Sequence, residues 1–417
     1  MSLKNSLYLN TAVFVMLFLL MLCQISCTQA QQTSLDKPPL NTNRQESIVV
    51  GQKFKFYSKI LGEEKELYIS LPPKYEERVH NYPVVLVLEA EYLFETTAST
   101  IKLLQDRSKM PQSIIVGLAN GSHKKRNEMA FPTHGGKPKT YLKFLKNELI
   151  PYIEQRYRAN AHRTIIGLSP TNGLLFEAFW SAPYLFKGYI ALSTHWEWHP
   201  VKGVTMVDKF IQTITQPNYP AVSIYMGTGD GDMRYSQVNY DKAIVKLDKK
   251  LVTKVNYQVD LLKNEEHYAM AIVGIRRGFQ LIYPDQEWDF PTVSDFKHPV
   301  AYIKQFYAGL SRKYGFKIYP VEDSHNYGNC LSGVAYNFAR WKHKYTNAQA
   351  IDLLELSIDY YPNSANLHKM LAEAYQRDRR KKVAKKMAKK AIKLAAKYHP
   401  DELIGYQRQL EDILSHK

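Results

Sequence analysis

Three kinds of residue, far apart in the chain, have the types needed to cleave an acyl bond. A serine hydroxyl is a weak nucleophile until a base takes its proton, and a carboxylate is the usual means of orienting that base. Ser169 stands in Gly167-Leu168-Ser169-Pro170-Thr171, between the β-branched run RTIIG and the apolar helical stretch LLFEAFWSAPYLF. Strand, sharp turn and helix form the context in which a serine is lifted above a sheet. Further on, AVSIYM runs into GTGDGD, which offers Asp230 and Asp232, and YQVDLL runs into KNEEHY, which offers His267. Each has a plainer reading, since Gly, Ser and Asp-Gly are turn formers and a loop histidine can simply be solvated. Their order, serine then acid then histidine, gives them weight. Asp230 is the preferred acid, with Asp232 the other choice.

Other clusters carry less. His195 to His199 (HWEWH) lacks the H-E-x-x-H spacing of a zinc helix and reads as pocket wall, not metal site. His123-Lys124-Lys125-Arg126 reads as a solvated basic loop, with contact to an anionic substrate group as the functional alternative. The glycines of HGGKPK lack the Lys-Ser/Thr that would cradle a phosphate. No cofactor and no metal is implied.

The elements that must hold these residues follow from periodicity. Strands are expected at Lys65–Leu71, Val84–Leu88, Ser113–Leu118, Thr164–Ile166, Gly188–Ala191, Ala221–Met226 and Tyr257–Leu262, with helices such as Tyr141–Tyr157 and Tyr240–Leu251 between them. Several of the runs are continuously apolar, as strands buried on both faces of a parallel sheet are. The alternation predicts a doubly wound α/β domain over residues 45–284. Residues 285–329 read as a connector and 330–417 as a helical domain. In that domain Trp341, Ala350 and Ser357 are echoed thirty-four residues later by Tyr375, Ala384 and Ala391, with Leu371 and Ala372 beside them. The spacing resembles a tetratricopeptide array of about two units and a final helix, expected to pack against the α/β domain.

The chain of 417 residues has 45% hydrophobic and 23% charged residues, which excludes wholesale disorder. Its N-terminus predicts export. Lys4 precedes the apolar run Ala12 to Cys23, too short for a membrane span but suited to a signal peptide cleaved after Ala30; lipidation at Cys27 is the less favoured alternative. Residues 31–44 then form a flexible leader, and Cys330 is the one cysteine kept, so no intrachain disulfide and no cysteine zinc cluster forms. The net charge of +17 is concentrated in Arg377 to Lys397, with eleven Lys/Arg against the single acid Asp378. That amphipathic stretch reads first as a solvated helix face and second as a contact for a protein partner or an anionic envelope surface. Nucleic acid is not expected, because no base-reading or stacking elements accompany it.

From Phe54 to Pro284 the chain resembles the esterase branch of the α/β-hydrolase superfamily, which includes siderophore esterases, feruloyl and acetyl-xylan esterases and S-formylglutathione hydrolases. The resemblance rests on YPVVLVLEAEYLF, SIIVGLAN, FLKNELIPYIEQRYR, IIGLSPTNG, PYLFKGYIALS and NEEHYAMAIVGIRRGFQLIYP. It implies Ser169 as nucleophile, His267 as general base and Asp230 as the orienting acid. The activity implied is that of an exported serine hydrolase acting on siderophore, carbohydrate-linked or short acyl esters in a bacterial periplasm or envelope. The family commonly reads G-H-S-x-G-G, and Leu168, Pro170, Thr171 and Asn172 depart from it. Pro170 has no N–H where an oxyanion-hole donor is expected, and Glu89-Ala90 replaces the usual Asp-Gly. The alternative is therefore a catalytically degenerate binding or assembly protein whose helical tail recruits partners.

Overall fold

The continuous apolar runs become the middle of an eight-stranded sheet. The computed structural model describes residues 47–233, 235–248, 251–288, 298–323, 330–340 and 346–415. The expected signal peptide, the leader and Trp341 lie outside the described residues. The strands are β1 (Gln52–Ser58), β2 (Glu63–Ser70), β3 (Tyr82–Leu88), β4 (Ile114–Leu118), β5 (Ala159–Leu168), β6 (Gly188–Leu192), β7 (Ser223–Gly229) and β8 (Asn256–Leu262). Their order across the sheet is β1-β2-β4-β3-β5-β6-β7-β8. β1, β2 and β4 pair antiparallel, and every pairing from β4 through β3 to β8 is parallel. β1 escaped the sequence reading because QKFKFYS alternates short apolar and charged residues on an edge that stays largely in water.

Parallel strands need crossovers, and helices supply them on both faces. They are α1 (Ala90–Asp106), α2 (His123–Asn127), α3 (Pro138–Phe144), α4 (Ile150–Arg156), α5 (Asn172–Ser181), α6 (Met206–Ile214), α7 (Gln237–Leu247) and α8 (Met270–Ile282). Alternate residues of one strand serve different cores. Val85 and Val87 of β3 and Ile166 and Leu168 of β5 meet α1 and α8 on one face. Val84 and Leu86 of β3 and Ile165 of β5 meet the apolar sides of α3, α5 and α6 on the other.

The first core does not stop at the sheet. It continues through α9 (Asp285–Trp288) and α10 (Pro299–Tyr314) into the tail helices α11 (Leu331–Arg340), α12 (Asn347–Tyr360), α13 (Ala365–Arg377), α14 (Lys381–Tyr398) and α15 (Leu403–Ser415). The stretch read as a connector thus holds a sixteen-residue helix whose Ile303, Tyr307 and Leu310 are buried. Residues 50–417 form one compact unit. The small residues of the thirty-four-residue echo, Ala350, Ser357, Ala384 and Ala391, are buried where tail helices meet. Lys381, Lys382, Lys386, Lys389, Lys390 and Lys393 of α14 face solvent.

A polar seam fastens the tail to the β2–β3 loop. Arg78 Nη2 donates to Glu322 Oε2 at 3.0 Å with both side chains buried, and Lys74 Nζ lies 3.6 Å from the other carboxylate oxygen. His80 stacks on Tyr319 at 3.6 Å, and His399 Nε2 lies 2.8 Å from Glu77 Oε2. Burial works against the Glu322 charge, but Lys74 and Arg78 hold its pKa below the ordinary value. Removing one partner of such a pair strands the other charge. Glu322→Gln is expected to lower the free energy of urea unfolding by about 3–5 kcal/mol.

Candidate active site

Glu89, Ser169, Ser193, Asp232 and His267 all follow the carboxyl ends of parallel strands, where a doubly wound sheet offers its site. The residues immediately after β3, β5 and β6 are Glu89, Ser169 and Ser193, and each has a left-handed backbone, with φ of 68°, 57° and 54°. For residues with a Cβ this conformation costs roughly 1–2 kcal/mol. Surrounding structure must enforce it, and such strain gathers at functional sites.

Ser169 leaves β5 and opens a short turn, with Pro170 at its second position, that leads into α5. The turn is pinned by the residues that depart from the family pattern. Thr171 Oγ1 accepts the N–H of Leu168 at 2.9 Å and lies 3.0 Å from Glu89 Oε1. Asn172 Nδ2 donates to the carbonyl of Leu192 at 2.7 Å, tying the start of α5 to the end of β6. Gly173 permits the close approach: a Cβ there would stand 2.3 Å from the carbonyl carbon of Ala130.

Glu89 is fully buried beneath this turn and accepts from Arg126 Nε at 2.7 Å. Burial pushes its pKa up to about 7, against the pull of Arg126. The native state therefore binds a proton that the unfolded chain, with an ordinary value of 4.5, releases. Its contribution to stability is full below about pH 4.5 and is lost as pH rises through about 7. Urea titrations at pH 5 and pH 8 are expected to show wild type losing about 2.5 kcal/mol more than Glu89→Gln over that interval. Arg126, expected on a solvated loop, is instead buried.

The loops after β7 and β8 meet through main-chain bonds. Gly231 N–H donates to the Glu265 carbonyl at 3.1 Å, and a Cβ on Gly229 would stand 2.2 Å from that oxygen. This contact brings Asp232, not Asp230, to the histidine. Asp232 Oδ1 lies 2.9 Å from His267 Nδ1, and both side chains are buried. The carboxylate only accepts, so Nδ1 carries the proton and Nε2 is the ring atom left for a substrate-side hydroxyl. Asp230 turns the other way: Oδ1 accepts the Asn264 N–H at 2.8 Å and Oδ2 is 3.9 Å from Lys263 Nζ. The structure brings Asp232 to His267 and turns the expected Asp230 away from it. The reason is the turn itself, which uses the first aspartate to cap the neighbouring loop and points the second inward.

Two more residues join this cluster: Ser193, which was not foreseen, and His195, which was expected only as pocket wall. Ser193 Oγ lies 2.9 Å from His195 Nε2 and 3.3 Å from His267 Nδ1. His195 Nε2 is also 3.5 Å from Asp232 Oδ1. Burial works against the His195 charge, but bonding to Asp232 and Glu197 raises its pKa to about 9. Burial likewise opposes the Asp232 charge, yet hydrogen bonds from His195, His267 and Ser193 hold its pKa far below the carboxylate range. Ser193 is a poor nucleophile candidate because it sits on the Nδ1 side of His267, shared with the acid, and is fully buried. Ligand atoms of His195, Asp232 and His267 lie within 4.8 Å of one another, a spacing open to a metal ion. Donor–acceptor pairing accounts for their approach without one. In HWEWH the two histidines separate, with His195 buried here and His199 exposed.

Comparison with known proteins adds the lineage. The family model described as "Putative esterase" matches residues 58–296. An IroE-like serine hydrolase from Shewanella oneidensis superposes with a TM-score of 0.57 at 21% identity, over 74% of this chain and 99% of that one. An uncharacterised protein from Capnocytophaga ochracea DSM 7271 superposes with a TM-score of 0.52 at 19% identity, over 86% of this chain and 99% of that one. At such identities the likeness is one of fold. The ferri-bacillibactin esterase BesA of Bacillus subtilis (strain 168) is 22% identical over 187 residues, 39% of this chain and 64% of that protein. This chain thus spans somewhat under two thirds of that relative's length.

Proposed function

Because the chain belongs to this esterase family, we propose that it is a serine hydrolase of carboxylic esters working through an acyl-enzyme. The observation that carries the reading is Ser169, left-handed at the end of β5, on the same sheet edge as the buried Asp232–His267 pair. In the first step Ser169 Oγ attacks the ester carbonyl as its proton passes to His267 Nε2, and Asp232 stabilises the imidazolium through Nδ1–H. The tetrahedral intermediate expels the alcohol, which takes that proton. Water then repeats the sequence, giving the carboxylic acid and regenerating the serine. No bound group is needed to balance these steps.

The substrate class is proposed as esters of siderophore, carbohydrate-linked or short acyl type, the first favoured by the likeness to a ferri-bacillibactin esterase. An exported chain acting at the cell envelope is the setting that residues 1–30 suggest. The test is labelling of the mature chain by a fluorophosphonate, with mass-spectrometric location of the adduct, beside hydrolysis of p-nitrophenyl acetate and butyrate. An adduct on Ser169 with turnover supports the enzyme. Neither adduct nor turnover would leave the degenerate, partner-binding reading that Pro170 invites.

A further inference from the structure

This inference rests on the reading of His267 as general base. In the usual arrangement one carboxylate serves one imidazole. Here Asp232 serves two. Its Oδ1 is 2.9 Å from His267 Nδ1 and 3.5 Å from His195 Nε2. Ser193 Oγ stands between the rings, 2.9 Å from one nitrogen and 3.3 Å from the other. Across its own ring, His195 Nδ1 is 3.4 Å from Glu197 Oε1. All but the partly exposed Glu197 are buried, and the Trp198 ring covers His195 with centroids 5.0 Å apart.

We propose that His195 is a positioning residue for ester hydrolysis, sharing Asp232 with His267 so that its own charge sets the basicity of the general base. The titratable groups facing His195 are Asp232 from the β7–α7 loop, His267 from the β8–α8 loop and Glu197 from its own loop. Set between two carboxylates, it stays an imidazolium through neutral pH, with its pKa raised to about 9. The transition state demands a second imidazolium at His267. A like charge on the same carboxylate disfavours it, and loss of that charge favours it. His195 also approaches the same oxygen, Asp232 Oδ1, that meets His267 Nδ1, and so helps to hold the carboxylate in place.

The sharing makes the two ring titrations one coupled system, which can be read directly. In the wild-type chain, nuclear magnetic resonance of the ring protons of His267 is expected to show its own inflection and a second one near pH 9, as His195 deprotonates. His195→Gln keeps an amide donor toward Ser193 and Asp232 but removes the charge. It is expected to abolish the second inflection and move the first to higher pH by about one unit. The acid limb of kcat/KM for p-nitrophenyl acetate should move with it. A single His267 inflection in wild type, or a His195→Gln titration identical to wild type, overturns the proposal. The wild-type titration decides even if the variant fails to fold. Failure of Ser169 to take a fluorophosphonate would instead sink the esterase reading, while the titration still decides the coupling.

Discussion

Asp232→Asn is expected to lower kcat for ester hydrolysis by about 10⁴-fold, the cost of removing the acid from a Ser-His-Asp unit. Asp230→Asn should leave it within a few-fold. The contrast is sharp because the two aspartates share one turn, two residues apart, and differ only in where their carboxylates point. Asp232 is buried and meets His267 Nδ1 at 2.9 Å, whereas Asp230 is half-buried and accepts from the Asn264 main chain. An amide at 232 offers a neutral oxygen, or its NH₂ group, to Nδ1. It can neither stabilise the imidazolium nor fix the tautomer that leaves Nε2 to accept the serine proton. At 230 an amide oxygen still accepts the Asn264 N–H. Steady-state rates with p-nitrophenyl butyrate, alongside thermal melts that establish folding, read both variants. If Asp230→Asn proved the damaging change, the loop must rearrange during turnover and the assignment of the acid would revert.

The divided outcome at this turn shows what local sequence reports. Strands such as YPVVLVL and GYIAL were legible because burial on both faces demands unbroken apolar runs, a signal that survives without partners. Ser169 and His267 stood out in the sequence because chain order and a strand–turn–helix context constrain them. The side chain of an Asp-Gly-Asp turn carries no such signal. Which carboxylate faces inward depends on Gly229 and Gly231 letting the Glu265 carbonyl approach, a contact across 34 residues. His195 was expected only as pocket wall for the same reason, since its contact with Asp232 depends on the loop after β7. The departures at Glu89, Thr171 and Asn172 looked like decay when read singly. In the fold two of them bond each other and the third ties β6, so together they rebuild the turn by side-chain bonds. The shared core of sheet and tail was foreseen as packing, but helix α10 was missed because its buried Ile303, Tyr307 and Leu310 lie in a stretch crowded with other aromatics.

Pro170→Ala is expected to raise kcat by about 100-fold, the worth of one oxyanion-hole donor, while Ser169→Ala/Pro170→Ala stays inactive. The argument turns on a single hydrogen. Substrate carbonyl oxygen becomes anionic in the tetrahedral intermediate, and a main-chain N–H after the nucleophile normally meets it. Proline has none, though its fixed φ suits the first turn of the helical segment that begins at Ser169. Alanine restores the N–H and keeps a good helix former. The elbow should survive the exchange, because it is held by Thr171 to Leu168 and Glu89 and by Asn172 to Leu192, none of which uses Pro170. A stability change below about 1 kcal/mol is therefore expected in urea, since an Xaa/Pro exchange at a tolerant position acts chiefly on the unfolded chain. The rise should appear in kcat with KM nearly unchanged, because the donor acts on the transition state and not on bound ester. An unchanged kcat would mean that the developing charge is met elsewhere. The double variant separates gained chemistry from nonspecific hydrolysis, since any rate that survives loss of Ser169 did not pass through the acyl-enzyme.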